Sequence, residues 1–288
     1  MSVIKNTAFM KKIHLFPNII TAFGLICGLF VIFKMAITNS SCHNFELLQF
    51  SAIVLLLASA ADLLDGAVAR LMGAESEFGV FFDSVADSIT FGVAPSVIVL
   101  TSLNVESDFL LPLIITSLIY SLCGVLRLVR FSVEAHSIKD NVVEKTAANK
   151  NFTGLPIPGA AAAAVSANLF LASGDCEQII SISMEERQII LSFVMLFLGY
   201  FMISRWKFPS LKALRIRIRA FPLLVLIVSA VSMLLYGILQ HFAAVFASVS
   251  WGYVILAWVL SVIRLISGKK SKTLEDFEPE PEDFEQPL

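Results

Sequence analysis

The sequence predicts an all-α, polytopic membrane bundle of about eight transmembrane helices. Three observations predict it. The 288 residues are 57% hydrophobic and 15% charged, whereas a soluble domain carries about 25% charged residues. The apolar residues gather into runs of about 20, the length of a helix that crosses a bilayer. The basic residues fall almost wholly on one side of the resulting topology, as the positive-inside rule requires. Alternating ten-residue segments of the barrel type are absent from the sequence.

The spans are placed at residues 16–37, 46–72, 77–103, 109–131, 155–173, 186–204, 221–240 and 244–266. The first follows Lys5, Lys11 and Lys12. No small-x-small cleavage site follows it, so it reads as a retained helix and not as a signal peptide. The second, third and fourth are longer than a bilayer needs, and their inner ends are expected to project or bend. The fifth opens at GLPIPG (154–159), where Pro156 and Pro158 fix the helix start. The sixth is followed by the basic run Lys207, Lys212, Arg215, Arg217 and Arg219. This run is read as a juxtamembrane anchor on anionic lipid, not as a nucleic-acid site. The seventh and eighth rest on hydropathy alone.

With the N-terminus inside, every one of the 21 Lys and Arg residues except Lys34 and Arg187 lies on the inner side. That asymmetry favours an even number of spans, with both termini cytoplasmic. The domain organisation follows. Residues 1–15 are a cytoplasmic N-terminal segment and 16–220 the membrane core. Residues 221–266 add two helices, and 267–288 form a disordered acidic cytoplasmic tail. From Glu275 onward the tail holds seven acids and no base, a composition that cannot bury a core. Its two DFE copies read as solvated residues. Cys27 and Cys123 fall inside spans as packing residues. Cys42 and Cys176 fall in outer loops, where a disulfide between them is open, and no CxxC or Cys/His metal spacing occurs.

The stretch DLLDGAVARLMGAESEFGVFFDSVAD (62–87) sits between two apolar runs and carries Asp62, Asp65, Asp83 and Asp87. Four aspartates facing lipid would cost on the order of 10 kcal/mol. They must face a polar cavity, bind cations, or lie near the interface. Asp62 and Asp65 are three apart and Asp83 and Asp87 four apart, so each pair shares one helix face. Asp65 and Asp83 each lie about eight residues, roughly 12 Å, from a turn at 73–76. An antiparallel hairpin then brings the two pairs level. Converging carboxylates repel unless protonated or bridged by a cation, and oxygen-only ligands suit Mg²⁺, Mn²⁺ or Ca²⁺. Gly66, Ala67, Ala69 and Gly79 keep the facing surfaces small. Arg70 adds a phosphate-binding cation.

The pattern Asp62-x-x-Asp65-Gly66-x-x-Ala69-Arg70, eight residues, then Gly79-x-x-x-Asp83-x-x-x-Asp87 is similar to the signature of the CDP-alcohol phosphatidyltransferases. The segments FDSVADSITFGVAP (82–95), LRLVRF (126–131), FTGLPIPGAA (152–161) and MISRWKFPSLK (202–212) resemble the bacterial, integral-membrane phosphatidylserine synthases within that family. LFPNIITAFGLICG (15–28) resembles their opening helix, with Gly24 where that group often has Asn. The resemblance spans roughly residues 15 to 215.

The resemblance implies transfer of a phosphatidyl group from CDP-diacylglycerol to L-serine with release of CMP. It also implies a divalent metal, Mg²⁺ or Mn²⁺ and two ions, a homodimer among membrane lipids, and residence in a bacterial inner membrane. Asp62, Asp65, Asp83 and Asp87 then match metal ligands, and Asp87 the proposed general base. Asp62, Gly66, Ala69, Arg70 and Gly79 match CDP-binding positions.

A zwitterionic acceptor needs a cation for its carboxylate. Arg127 and Arg130, one turn apart, are candidates to bind serine or lipid phosphate, beside their alternative role as positive-inside anchors. Lys150, Asn151 and GLPIPG could edge the same pocket. Two other readings remain. One is another acceptor alcohol: glycerol phosphate, inositol phosphate or choline. The other is a divalent-cation or proton-coupled transporter, against which stands the lack of a second Asp-rich hairpin in the later spans.

Overall fold

The computed structural model describes residues 2–38, 45–72, 77–103, 110–140, 154–204 and 240–267. Nearly all of them are helical, and no strand occurs among them. In chain order the helices are α1 (Ser2–Ile37), α2 (Phe45–Met72), α3 (Glu77–Asp87) and α4 (Ala94–Thr101), followed by α5 (Leu110–Asp140). Then come α6 (Ile157–Leu171), α7 (Gly174–Ile179), α8 (Met184–Ile203) and α9 (Phe242–Ser267). A π-helical segment, Ser88–Val93, joins α3 to α4 without a break.

Six stretches are long and apolar enough to cross a membrane: Asn18–Ile37, Phe45–Val68, Phe78–Thr101, Leu110–Val133, Met184–Ile203 and Phe242–Val259. They correspond to the first four, the sixth and the eighth expected spans. The seventh, 221–240, lies almost wholly outside the described residues, as do the 205–219 basic run and the acidic tail. The fifth is shorter than expected. α6 has 15 residues, about 22 Å of helix against roughly 30 Å of hydrocarbon. It need not span lipid alone, because it runs through the middle of the bundle, packed on α2, α4, α8 and α9. Its Ala160, Ala161, Ala163 and Ala164 are buried, and such small side chains admit close neighbours. The short α7 was not anticipated. Ser173 caps it by accepting a hydrogen bond from the Cys176 amide. Cys176 is a free, buried thiol, and Cys42, with which the sequence left a disulfide open, lies outside the described residues.

Helices α1 and α2 form one extensive antiparallel pair, and α5 and α8 form a second pair whose chains run in the same direction, with Gly199 of α8 against Tyr120 and Cys123 of α5. The π segment lies between them and touches α1, α5 and α6. Two features hold it there. Tyr120, fully buried on α5, donates its hydroxyl hydrogen to the Phe91 carbonyl at 3.1 Å. Gly28 on α1 lets the backbones meet, since a Cβ there would stand 2.5 Å from Thr90 Oγ1 and 2.9 Å from Thr90 Cα. Gly154 enters α6 at φ 81°, a left-handed turn that only glycine adopts without strain. The next amide, Leu155 N–H, bonds the Phe201 carbonyl at 3.0 Å. The GLPIPG turn is thereby fixed to the end of α8, where a carbonyl would otherwise lack a partner.

At the opposite end of the bundle from the 73–76 turn sits a second polar group. Arg187 is buried and donates to Asn168 Oδ1 at 2.7 Å and to the Asn168 carbonyl at 3.2 Å. Asn168 donates in turn to Ser102 Oγ at 3.0 Å. This network ties the ends of α4, α6 and α8.

Candidate active site

α2 and α3, which precede and follow residues 73–76, bring their aspartates into one pocket. Oxygens of Asp62, Asp83 and Asp87 lie within 4.8 Å of one another. Asp83 and Asp87 reach the cluster from successive turns of α3, and Asp62 faces them from α2. Asp65 lines the same pocket but is not a member of that three-carboxylate group. It is buried, and its Oδ2 accepts a hydrogen bond from Thr21 Oγ1 on α1 at 2.6 Å. All four aspartates that the sequence expected to converge line this one pocket. Three cluster, and the fourth is held beside them by the first helix.

The pocket is also lined by Thr21, Gly24, Leu25, Ala58, Ala86, Thr90 and Phe91. Sequence reasoning missed Thr21 and Thr90, and the available signal was a hydroxyl inside an otherwise apolar span. Gly24, noted in the sequence as a departure, stands in the pocket wall. A Cβ there would make only ordinary contacts, with the Ala58 carbonyl at 3.8 Å and Ala61 Cβ at 4.0 Å. The π segment begins at Ser88, directly after Asp87. A π turn rotates the following chain relative to an α-helix, and such bulges concentrate at functional sites. Here it leaves Asp87 on the carboxylate face while Thr90 turns to α1.

Gly66 and Gly79 are half-buried, on the part of the hairpin nearer the turn, and neither lines the carboxylate pocket. Ala69 and Arg70 continue α2, but their side chains lie outside the described residues, as do Lys150 and Asn151. Arg127 sits on α5 close enough to Asp87 and Tyr253 to interact with both electrostatically. Its Nε is buried without a hydrogen-bond partner. Arg130 follows one turn later and is half-buried.

The sequence model of the CDP-alcohol phosphatidyltransferase family matches residues 14–201, nearly two-thirds of the chain and all of the pocket-lining residues. This chain belongs to that family. Among CDP-alcohol phosphatidyltransferases, it is similar to the CDP-diacylglycerol–serine O-phosphatidyltransferase of Helicobacter pylori (strain ATCC 700392 / 26695), at 30% identity over 90% of this chain and 98% of that one. The enzyme of the same name from Bacillus subtilis (strain 168) is 32% identical over 68% of this chain and 90% of its own length. An archaetidylserine synthase of Methanothermobacter thermautotrophicus is 35% identical over 56% of this chain and 59% of its own. With six membrane-crossing helices and this membership, the chain is an integral membrane protein.

Proposed function

We propose that this protein is a phosphatidylserine synthase, transferring the phosphatidyl group of CDP-diacylglycerol to L-serine and releasing CMP. The observation that carries the reading is the carboxylate cluster of Asp62, Asp83 and Asp87, set on the family's signature residues. The names of the relatives above support serine as the acceptor.

Oxygen-only donors within 4.8 Å of one another fit a hard divalent cation, Mg²⁺ or Mn²⁺. Asp62, Asp83 and Asp87 would hold it, with Asp65 beside them in the same pocket, and the family resemblance implies a second ion. Such an ion would neutralise the carboxylates and supply charge stabilisation to a bound pyrophosphate. Thr21 keeps the Asp65 carboxylate turned toward the pocket through its hydrogen bond. Asp87 accepts the proton of the serine hydroxyl as that oxygen bonds to the phosphorus carrying diacylglycerol. The phosphorus–oxygen bond to CMP breaks in the same transfer. A positioned base of this kind contributes about 10²- to 10⁴-fold. Gly66, Ala69, Arg70 and Gly79, with Asp62, cradle the CDP moiety nearer the turn, so the nucleotide stays toward water while the acyl chains stay in lipid. Arg127, whose Nε lacks a partner, receives the acceptor's carboxylate, and Arg130 the lipid phosphate.

The orientation that suits this chemistry puts the 73–76 turn and both termini in the cytoplasm, with the protein in a bacterial inner membrane. Residues 16–220 form the catalytic core, with 221–266 as added helices. A homodimer is the expected unit, and the large apolar side chains directed outward, among them Phe30, Leu118 and Leu122, suit surrounding membrane lipid.

The test is CMP release from CDP-diacylglycerol by detergent-purified protein, with Mg²⁺ or Mn²⁺, across a panel of alcohols. Serine-dependent release abolished by EDTA supports the reading. Release driven only by glycerol phosphate, inositol phosphate or choline overturns the acceptor assignment but keeps the family chemistry. No release with any alcohol removes the transferase reading and leaves cation transport to be tested.

A further inference from the structure

The last described helix, α9, lies beyond the residues that the family model matches. It nevertheless reaches the site. Val254 and Ala257 are buried in the main core, and Trp251 Nε1 donates to the Ala163 carbonyl of α6 at 3.1 Å. These contacts fix α9 against α6 and leave little freedom for Tyr253, which lies between Trp251 and Val254. The Tyr253 ring rests on the start of α6, with Cε1 3.4 Å from where a Cβ on Gly159 would stand. From there its phenol lies close enough to Arg127 for electrostatic interaction. Arg127 is in turn the cation beside Asp87. No ion pair to Arg127 occurs among the described residues, and its buried Nε lacks a partner. A buried guanidinium nitrogen without a hydrogen-bond acceptor is costly, and the cost is relieved when a ligand supplies one.

We infer that Tyr253 completes the acceptor's carboxylate pocket, its hydroxyl and the Arg127 guanidinium together gripping the α-carboxylate of the amino-acid substrate, so that a helix outside the matched family segment sets acceptor specificity. The inference rests on the phosphatidylserine synthase reading. Three features favour a carboxylate over a phosphate here. Among the described residues, the cation that acts on Tyr253 is a single guanidinium, that of Arg127. A phenol donates a hydrogen bond but adds no positive charge. And Asp87 lies close enough to Arg127 to act on it electrostatically, so its charge would repel a dianion more than a monoanion.

The test is Tyr253→Phe in the full-length protein, which keeps the ring against Gly159 and removes only the hydroxyl. Serine KM, CDP-diacylglycerol KM, kcat and the thermal midpoint are measured in the same detergent. The expected result is a serine KM raised about tenfold, as for one lost hydrogen bond to a charged group. CDP-diacylglycerol KM and thermal midpoint stay unchanged. A serine KM within twofold of wild type overturns the inference. So does a fall in kcat and midpoint with both KM values altered alike, since that marks a packing role. If the wild type shows no serine-dependent CMP release, the functional reading itself has failed, and the two failures are distinct.

Discussion

Thr21 on α1 holds Asp65 on α2 through a 2.6 Å hydrogen bond that is buried in the protein. The two residues are 44 positions apart, and the bond makes the first helix part of the carboxylate site. Thr21→Val keeps the shape and removes the donor. Activity is expected to fall about tenfold, as for loss of a hydrogen bond to a charged group. The Mn²⁺ concentration for half-activation is expected to rise, read from CMP release across a metal titration. An unchanged titration curve would show that Asp65 needs no such support.

The three clustered carboxylates are expected to separate by role. Asp62→Asn and Asp83→Asn weaken activation by divalent ions, so added Mn²⁺ recovers part of the activity. Asp87→Asn lowers turnover by about 10²-fold or more at any metal concentration, because a carboxamide cannot take the proton. EDTA silences the wild type, and Mg²⁺ or Mn²⁺ restores it. Recovery of Asp87→Asn at high Mn²⁺ would leave Asp87 as a ligand only.

Tyr120→Phe removes the hydroxyl that bonds the Phe91 carbonyl. The side chain is fully buried, so no water replaces the donor, and the π segment is left with an unsatisfied carbonyl. A stability loss of about 1–3 kcal/mol is expected. It is checked by the thermal midpoint in detergent, with a smaller drop in turnover through the shifted Asp87.

Gly28→Ala drives a methyl against Thr90, with Thr90 Cα only 2.9 Å away. Overpacking of this kind costs about 1–3 kcal/mol. Trimming Thr90 to Ala in the same chain removes the Oγ1 contact but not the backbone one, so only partial recovery of the midpoint is expected. Full recovery would mean that the two backbones are free to separate.

The Arg187–Asn168 pair answers differently to loss of each partner. Asn168→Leu removes the Oδ1 acceptor and leaves the buried guanidinium only the backbone carbonyl of residue 168, so it is expected to destabilise by about 1–3 kcal/mol. Arg187→Met removes the charge itself, and Asn168 keeps Ser102. It is expected to be neutral or stabilising. Both variants should retain the specific activity of whatever protein stays folded, since the network sits at the end away from the aspartates. Thermal midpoints set against CMP release per folded molecule decide it.

Much of this protein was legible in its sequence. The apolar runs determined the helical membrane class, because a backbone in lipid must satisfy its own hydrogen bonds. The spacing of Asp62, Asp65, Asp83 and Asp87 determined a paired-carboxylate hairpin, because helical periodicity puts residues three and four apart on one face. Three things were decided only by the tertiary structure. Asp65 is drawn to Thr21 rather than into the three-carboxylate group, since which oxygen meets which donor depends on how α1 lies against α2. α6 is short and central, a place that hydropathy cannot distinguish from a lipid-facing span because protein and lipid interiors are equally apolar. Arg127 meets Asp87 and Tyr253 from three helices far apart in sequence. No periodicity within one helix encodes the approach of another; that is fixed by where small residues such as Gly28 and Gly159 let the helices close.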